Sequence, residues 1–548
     1  MKPPGRGCEA QARAFLARLE GEARGQEAAG RQLLAATQEA VRWGRIDRRT
    51  QHFQPPWRSG DAAIYESQDL MHRRTRSECL NNAQIKRIRE AIEDLIVGAG
   101  VLTFADPFDP LMDLTALSRD TLDPLLQYAL EADELYEEWF SDAAQFDVAG
   151  KRSGADVQRM LVGECVERGG CLLVRTATDR PGQLVPLAYQ IVEYDQLDLS
   201  KDRPAGPGQN KIVHGIELDA TGRAVAYYLY DDHPFDDFER GAAAGQSSRV
   251  RAERVLHLCL FRRPSQSIGM SWLHAVGQNN FDRDKFLGAE IQKAAKSALL
   301  LLVHKTANLR NRGTLGLLDG EDSTDAYGNE ELKLGSSPLA AVIAKDDELE
   351  LIEGDYPTSS ADAFLNILDH DTAAGMGLSS FTLTGRYDRS NYTSVRGALL
   401  AEDAHFRPLQ TWFASQVALP IRRDFHRLAI ALGKLQSVTA AQFLAKPRRY
   451  SRFDAIGPGR DLLDPEAETS AAAGRLRCCL TTLKLECAKK QLHWIRVLRQ
   501  IALENRLLEI LEIALDLSKG QGGQTRGNTR SKRDQQDAAQ AEGTEGQG

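Results

Sequence analysis

Three groups of residues in this 548-residue chain have types and spacing that could do chemistry. The segment Gly457-Pro458-Gly459-Arg460 offers glycine backbone N–H groups and a guanidinium, the parts of a phosphate cradle. A cradle of that kind works when it opens a helix after a strand, because the N-terminal N–H groups then converge on the anion. No strand-loop-helix pattern surrounds this segment, so it is read as a tight turn. His370 stands between Asp369 and Asp371, an imidazole beside two carboxylates. The surrounding pattern is helical, and the three are read as a solvated helix face rather than a metal set. The cysteines are Cys8, Cys79, Cys165, Cys171, Cys259, Cys478, Cys479 and Cys487. No pair has Cys-x-x-Cys spacing, so they are read as buried free thiols and not as zinc ligands. The sequence has no Walker phosphate loop, serine nucleophile elbow or His-Glu-x-x-His pair. It therefore assigns no catalytic residue, no metal and no cofactor.

Composition narrows the function classes. The net charge is −8, and hydrophobic and charged residues make up 42% and 27% of the chain. Sequence-reading DNA binders carry a basic face, which this chain lacks overall. An acidic balance still suits a conduit along which DNA must slide without sticking. No run reaches the roughly 18 apolar residues of a membrane span. The best candidate, Ala298 to Val303, is flanked by Lys293, Lys296 and Lys305. The opening Met1-Lys2-Pro3-Pro4 lacks the apolar core of a secretory signal, so synthesis in the cytoplasm is expected.

The elements that would position any site follow from periodicity. Apolar residues at three- and four-residue steps predict a helix from Leu70 to Ile96, stopped by Gly98-Ala99-Gly100, with further helices at Asp120–Phe140 and Gly154–Glu167. Strands are expected at Cys171–Thr176, Leu184–Tyr194, Ile212–Leu218, Ala224–Tyr230 and Val255–Phe261. Asp219-Ala220-Thr221-Gly222 reads as a hairpin turn. A long helix is predicted over Trp272–Lys305, then an irregular stretch with short strands near Leu315–Leu318 and Leu349–Glu353, then a helix over Ser360–Met376. A polar loop, Gly377–Tyr392, leads into a helix from Thr393 to Leu432 that Pro408 and Pro420 should bend. A last helical block spans Asp464–Leu517. The tail from Lys519 is Gly, Gln and charge and is read as disordered.

Several segments, in order, resemble the lambda-type portal proteins of tailed bacteriophages. They are Arg76-Ser77-Glu78-Cys79-Leu80-Asn81-Asn82 with Ile96-Val97-Gly98, then Ile191 to Asp198, then the hairpin Gly215 to Tyr228. Val255-Leu256-His257-Leu258 and Arg263 to Leu273 follow, and Ile456 to Asp461 with Asp464-Pro465 closes the set. The likeness covers roughly residues 40 to 510. It leaves the first 40 residues unplaced, and Leu476–Leu517 is only loosely similar.

The resemblance implies an α+β subunit of a homo-oligomeric ring, usually a dodecamer, at one capsid vertex. DNA would enter and leave through that ring. It maps residues 1–40 to an N-terminal extension, 41–271 to a mixed α/β wing, and 272–305 to a first stem helix. Residues 306–358 become a clip, 359–376 a second stem helix and 377–392 a tunnel loop. Residues 393–435 become a long wing helix, 436–518 a helical crown and 519–548 the tail. Implied partners are terminase large subunit, major capsid and scaffolding proteins, head-tail connector proteins and double-stranded DNA without base specificity, with no membrane. The implied location is the virion portal vertex, after assembly in the host cytoplasm. Arg386, Tyr387, Arg389, Asn391 and Tyr392 are the expected channel contacts, and Asp346 and Asp347 in the clip the expected docking residues. Two arginines per subunit, repeated around a ring, would meet phosphates at many registers without reading bases. Two other classes stay open on the residues alone: a virion-assembly scaffold or adaptor with no channel, and a nuclease, which would need clustered carboxylates. A closed ring with a central hole separates the first reading from the adaptor.

Overall fold

The computed structural model describes residues 56–108, 118–236, 246–299, 361–387, 390–460 and 464–511, and short strands at 303–305, 323–324, 330–331 and 348–350. The chain divides into a unit of residues Met1–Ala63 and a unit of Ile64–Gly548. Of the first, only residues 56–63 are described. The expected N-terminal extension, most of the clip with Asp346 and Asp347, and the tail lie outside the described residues.

Helix α1 (Gly60–Asn81) and α2 (Ala83–Ile96) share the apolar run read as one helix. The break is Asn82, whose side-chain oxygen accepts the N–H groups of Gln84 (2.9 Å) and Ile85 (3.2 Å) and so starts a new helix. Ile85, Ile88, Ala91, Ile92 and Ile96 give α2 its buried face. After strand β1 (Leu102–Ala105) come α3 (Arg119–Ser141), the single turn α4 (Ala143–Phe146) and α5 (Gly154–Arg168). A reciprocal Ser153–Asp156 capping box opens α5, and Gly169, at φ +92°, closes it. Gly169 lies against the backbone of Gly269 and Met270, where any Cβ would strike main chain, so both glycines are needed for the two segments to cross.

Two antiparallel sheets follow. Strands β2 (Gly170–Thr176), β3 (Ala188–Val192) and β8 (Val255–Cys259) form one, ordered β3-β2-β8. The other is β4 (Lys211–Val213), β5 (Ile216–Leu218), β6 (Ala224–Tyr230) and β7 (Ser247–Arg251), in chain order. The strand expected over Ile212–Leu218 is in fact the hairpin β4-β5. His214 (φ 53°) and Gly215 (φ 71°) make the tight turn, and both their N–H groups go to the Asp202 carboxylate at 2.9 and 2.7 Å. The Asp219–Gly222 turn is as read: Asp219 Oδ1 accepts from Thr221 and Arg223 N–H, and Gly222 has φ +84°.

The helix expected over Trp272–Lys305 is shorter. A 3₁₀ turn (Trp272–Ala275) precedes α6 (Gly277–Leu299), and the chain is already strand at β9 (Val303–Lys305), paired antiparallel with β12 (Glu348–Glu350). Between them β10 (Ser323–Thr324) pairs with β11 (Glu330–Glu331). Helix α7 (Ala361–Met376) packs beside α6, with Phe286 and Phe364 ring centroids 5.0 Å apart. The stretch read as a loop contains a helical turn, α8 (Ser380–Thr384). Then α9 (Tyr392–Phe413), a π-helical turn (Ala414–Ala418) and α10 (Leu419–Ala431) replace the single proline-bent helix. Pro408 is accommodated inside α9. The π turn sits just ahead of Pro420, which lacks an N–H and would clash with the preceding turn of a regular helix.

Short helices α11 (Ala440–Ala445) and α12 (Pro447–Tyr450) lead to β13 (Phe453–Ile456), which pairs with β1. The single C-terminal block is three helices: α13 (Pro465–Arg477), α14 (Leu483–Lys489) and α15 (Trp494–Ile510). Cys479 (φ 56°) and Gln491 (φ 58°) turn the chain between them.

The largest core gathers α2, α3, α5, the π turn and α10 around Trp139, Leu161, Phe413 and Phe425. A second lies between the sheets around Leu172, Tyr194, Ile216 and Tyr227, and a third packs α3 against α10 and Val438. The cysteines split: Cys79, Cys165, Cys171 and Cys259 are buried, whereas Cys478 and Cys479 are exposed and Cys487 is half-buried. The expectation of burial fails at Cys478 and Cys479, which lie in the turn after α13, and at Cys487 on α14, a helix with no buried residue.

Candidate functional site

The polar segment between α7 and α9 is built on one buried carboxylate. Glu402 on α9 accepts the Ser379 N–H (3.1 Å), the Thr382 hydroxyl (3.1 Å) and Arg460 Nη2 (2.8 Å). Its side chain is 1% exposed, so these donors replace water. Arg460 also reaches Asp403 at 3.1 Å. The Ser379 hydroxyl accepts the Thr382 N–H (3.0 Å) and caps α8; Gly385, at φ +67°, ends it. Gly377, at φ +70°, packs on the His405 ring. Nothing in the run 377–392 announced Glu402, because its partners come from residues 20 to 58 positions away.

On this base the expected contact residues are placed as follows. Arg386 is exposed and its Nη1 meets the Asp362 carboxylate of α7 at 3.1 Å. Tyr387 is exposed and stacks on Phe381, centroids 5.8 Å apart. The Asn391 side-chain oxygen caps α9 by accepting the Ser394 N–H (2.8 Å). Tyr392 is exposed in the first turn of α9. Arg389 and Asp388 lie outside the described residues. Between α7 and α8 is a polar cavity of about 640 Å³ lined by Asp362, Asn366, His370, Ser380, Thr384 and Arg386.

The Asp369-His370-Asp371 group corrects one expectation. Asp369 is not on a solvated face: it is buried and accepts from Arg283 Nε (2.8 Å) and Gln84 Nε2 (2.8 Å), tying α7 to α6 and α2. The Gly457–Arg460 segment is an extended strap, not a tight turn. Pro458 lies against Gly98, Gly459 against the Lys489 backbone, and Gln410 Nε2 bonds the carbonyls of Leu95 (2.8 Å) and Pro458 (3.3 Å).

A second charged cluster joins α1 to the strand region. Arg76 bonds Glu167 (3.0 Å), Glu193 (2.6 Å) and Asp195 (2.6 Å), and Arg168 also pairs with Asp195. Glu193, Asp195 and His233 are close enough to hold a cation. The two guanidiniums already neutralise the carboxylates, so the cluster is an ion-pair junction. Arg422 of α10 and Asp133 of α3 form a pair 2.6 Å long, 0% and 2% exposed, that the sequence did not announce.

Distant segments noted for their resemblance are thus neighbours in space. Arg76 meets Glu193 and Asp195, Gly98 meets Pro458, and Gly215 lies on the Asp198 backbone.

Comparison with known proteins gives the context. The "Probable portal protein" of Halomonas phage phiHAP-1 is 23% identical over 420 residues, 76% of each chain. "Portal protein B" of Escherichia phage lambda is 20% identical over 460 residues, 80% of this chain and 83% of that one. "Portal protein" of Escherichia phage N15 is 21% identical over 464 residues, 80% of this chain and 84% of that one. Among solved structures, the "Neck of empty GTA particle" is similar at 13% identity, with a TM-score of 0.35, over 72% of this chain and 95% of that one. Residues 46–410 match the family described as "Phage portal protein, lambda family". With that match spanning the strand region, α6, α7, α8 and most of α9, the chain belongs to the lambda family of phage portal proteins.

Proposed function

We propose that this subunit forms a closed ring, usually of twelve copies, at one vertex of a phage capsid, and that the genome is packaged and ejected through it. The observation that carries the reading is the family match over residues 46–410, which includes α6, α7 and the polar segment between α7 and α9. In this reading residues 41–271 are the wing, α6 and α7 the stem, 306–358 the clip, 377–392 the tunnel loop, α9 to α10 the long wing helix, and α13 to α15 the crown. Terminase would dock on the clip during packaging and connector proteins afterwards, with Asp346 and Asp347 contributing. Capsid and scaffolding proteins would surround the wing in the assembling particle.

Arg386, Tyr387, Arg389, Asn391 and Tyr392 would face the DNA. The anchoring of α8 to Glu402 supports this reading, because it holds the base of the segment while Arg386 and Tyr387 stay at the surface. An exposed Arg386–Asp362 pair is worth little in screened solvent. A passing phosphate could therefore take the guanidinium at small cost, and weak contacts repeated by symmetry would let DNA slide. Negative-stain images of purified protein test the ring: closed annuli with a central hole are expected, and monomers at all concentrations refute it. Arg386→Ala with Arg389→Ala should leave rings intact and lower the DNA held in filled heads; normal packaging and retention removes these two from the channel.

A further inference from the structure

Helix α10 and the turns after it carry positive charge that the described residues do not offset. Leu419 to Arg452 holds eight lysines and arginines and one carboxylate, Asp424, in a chain of net charge −8. Asp424 is already engaged, since Arg175 pairs with it and the Tyr189 hydroxyl donates to it at 3.0 Å. Arg422 points inward to Asp133, and Arg452 reaches Asp106 at 3.0 Å. Arg423, Arg427, Lys434, Lys446 and Arg448 are exposed and make no ion pair among the described residues.

The fold gathers these five. Arg423 and Arg427 are one turn apart on the exposed side of α10. Gly433, at φ +64°, ends the helix, and the Lys434 N–H closes on the Ala429 carbonyl at 2.9 Å. The chain then folds back. The Phe443 ring lies 6.3 Å from that of His426, and the Tyr128 hydroxyl meets both His426 Nε2 and the Tyr450 carbonyl at 2.9 Å. Lys446 and Arg448 lie between those two anchors, so α11 and α12 return them to the same end of α10.

A cation near a helix C-terminus offsets the helix dipole, but only over the last turn. That accounts for Lys434 and at most Arg427. A protein partner would want an apolar or aromatic centre with few lysines. The exposed large apolar groups of this stretch are two single leucines, Leu432 and Leu444. From Arg423 to Lys434 the rise is roughly 16 Å, the span of about five phosphates along one strand of a duplex. Cations at such a spacing suffice to hold a phosphate backbone without reading bases. Arg423 lies roughly 45 Å along α9, the π turn and α10 from Tyr392, so these cations form a surface separate from the polar segment 377–392.

We propose that this face holds duplex DNA by its phosphates outside the channel, giving the subunit two DNA surfaces, one that passes the genome and one that rests against it. The proposal rests on the reading of DNA as the cargo of the ring and adds the second surface, its residues and its sequence-blind mode.

Covalently closed circular DNA tests it with the purified full chain, because a circle has no end to thread and a closed ring can hold it only from outside. Wild-type rings should retard the circle at low salt. The variant Arg423→Ala, Arg427→Ala, Lys434→Ala should keep the wild-type far-UV circular dichroism and bind at least tenfold more weakly at about 0.1 M salt, with the slope of log affinity against log salt smaller by about 2 to 3. The charge-keeping variant Arg423→Lys, Arg427→Lys should bind like wild type. Rings that bind linear duplex but not the circle overturn the second surface and leave the channel reading standing. Wild-type affinity in the folded triple alanine variant overturns the assignment of these residues. Displacement of the circle by polyglutamate as readily as by duplex of equal charge means an acidic protein is the partner, which overturns DNA. If microscopy shows no ring, the channel reading falls, and the triple variant still decides whether this face binds DNA.

Discussion

Replacing Asp133 with alanine should be among the most damaging single changes in the subunit. Asp133 Oδ1 accepts Arg422 Nη2 at 2.6 Å and the Ala105 N–H at 2.9 Å, and neither side chain of the ion pair is reached by solvent. The Arg422 guanidinium lies over the Tyr136 ring at 4.4 Å and the Phe453 ring at 5.0 Å, and its Nε and Nη1 find no hydrogen-bond acceptor among the described residues. The alanine variant would keep a buried cation with no counter-charge and orphan a main-chain donor. Breaking such a pair from one side costs about 3–5 kcal/mol. The orphaned N–H adds about 1–3 kcal/mol if water cannot reach it. Changing both partners, Asp133→Leu with Arg422→Met, removes the charges together and should recover most of the loss, because desolvating the pair offsets much of its attraction. Urea unfolding at one fixed protein concentration measures this, since assembly makes apparent stability concentration-dependent. The reasoning is wrong if Asp133→Ala loses less than about 1 kcal/mol, or if the double variant is as unstable as the single one.

Acid should weaken the fold through its buried imidazoles. Burial, with Arg422 adding to it, lowers His426 to about 3, and burial lowers His257 to about 4. Their stabilisation is complete above the unfolded value of about 6.5 and is lost as pH falls from there towards the folded values. Burial raises Glu164 to about 7, which acts in the opposite sense, so the comparison is between wild type and His426→Leu: the variant should show a flatter fall in urea midpoint from pH 7 to 5. Glu402→Gln weakens a charge-assisted contact to Arg460 worth about 1.5–3 kcal/mol, so amide exchange at Thr382 and Leu383 should rise about tenfold or more; unchanged exchange there would show that the carboxylate does not hold the segment. Gly269→Ala should prevent soluble expression, since its Cβ would fall on the Gly169 carbonyl and only backbone movement relieves it.

Much of the molecule was legible as sequence because local rules dominate there. The apolar periodicity of Ile85, Ile88 and Ile92 specified a buried helix face, and Asp219 to Gly222 specified a turn whose hydrogen bonds close within five residues. The ordered segments carrying the portal resemblance were also readable, and the family match over 46–410 spans those from Arg76 to Leu273. Boundaries set by single side chains were harder: the Asn82 cap and the His214-Gly215 turn each broke an element that composition joined.

What only the tertiary structure decided is which polar residues are partners. Asp133 and Arg422 are 289 positions apart, and Arg76 reaches Asp195 across 119. Asp369 looked like a solvated neighbour of His370 until α2 and α6 brought Gln84 and Arg283 onto it. The strap at Gly457–Arg460 looked like a turn until Gly98, Glu402 and Lys489 closed around it. A charge is stable in the interior only when its counterpart arrives with it. Chain topology delivers that counterpart, and spacing along the sequence carries no trace of it.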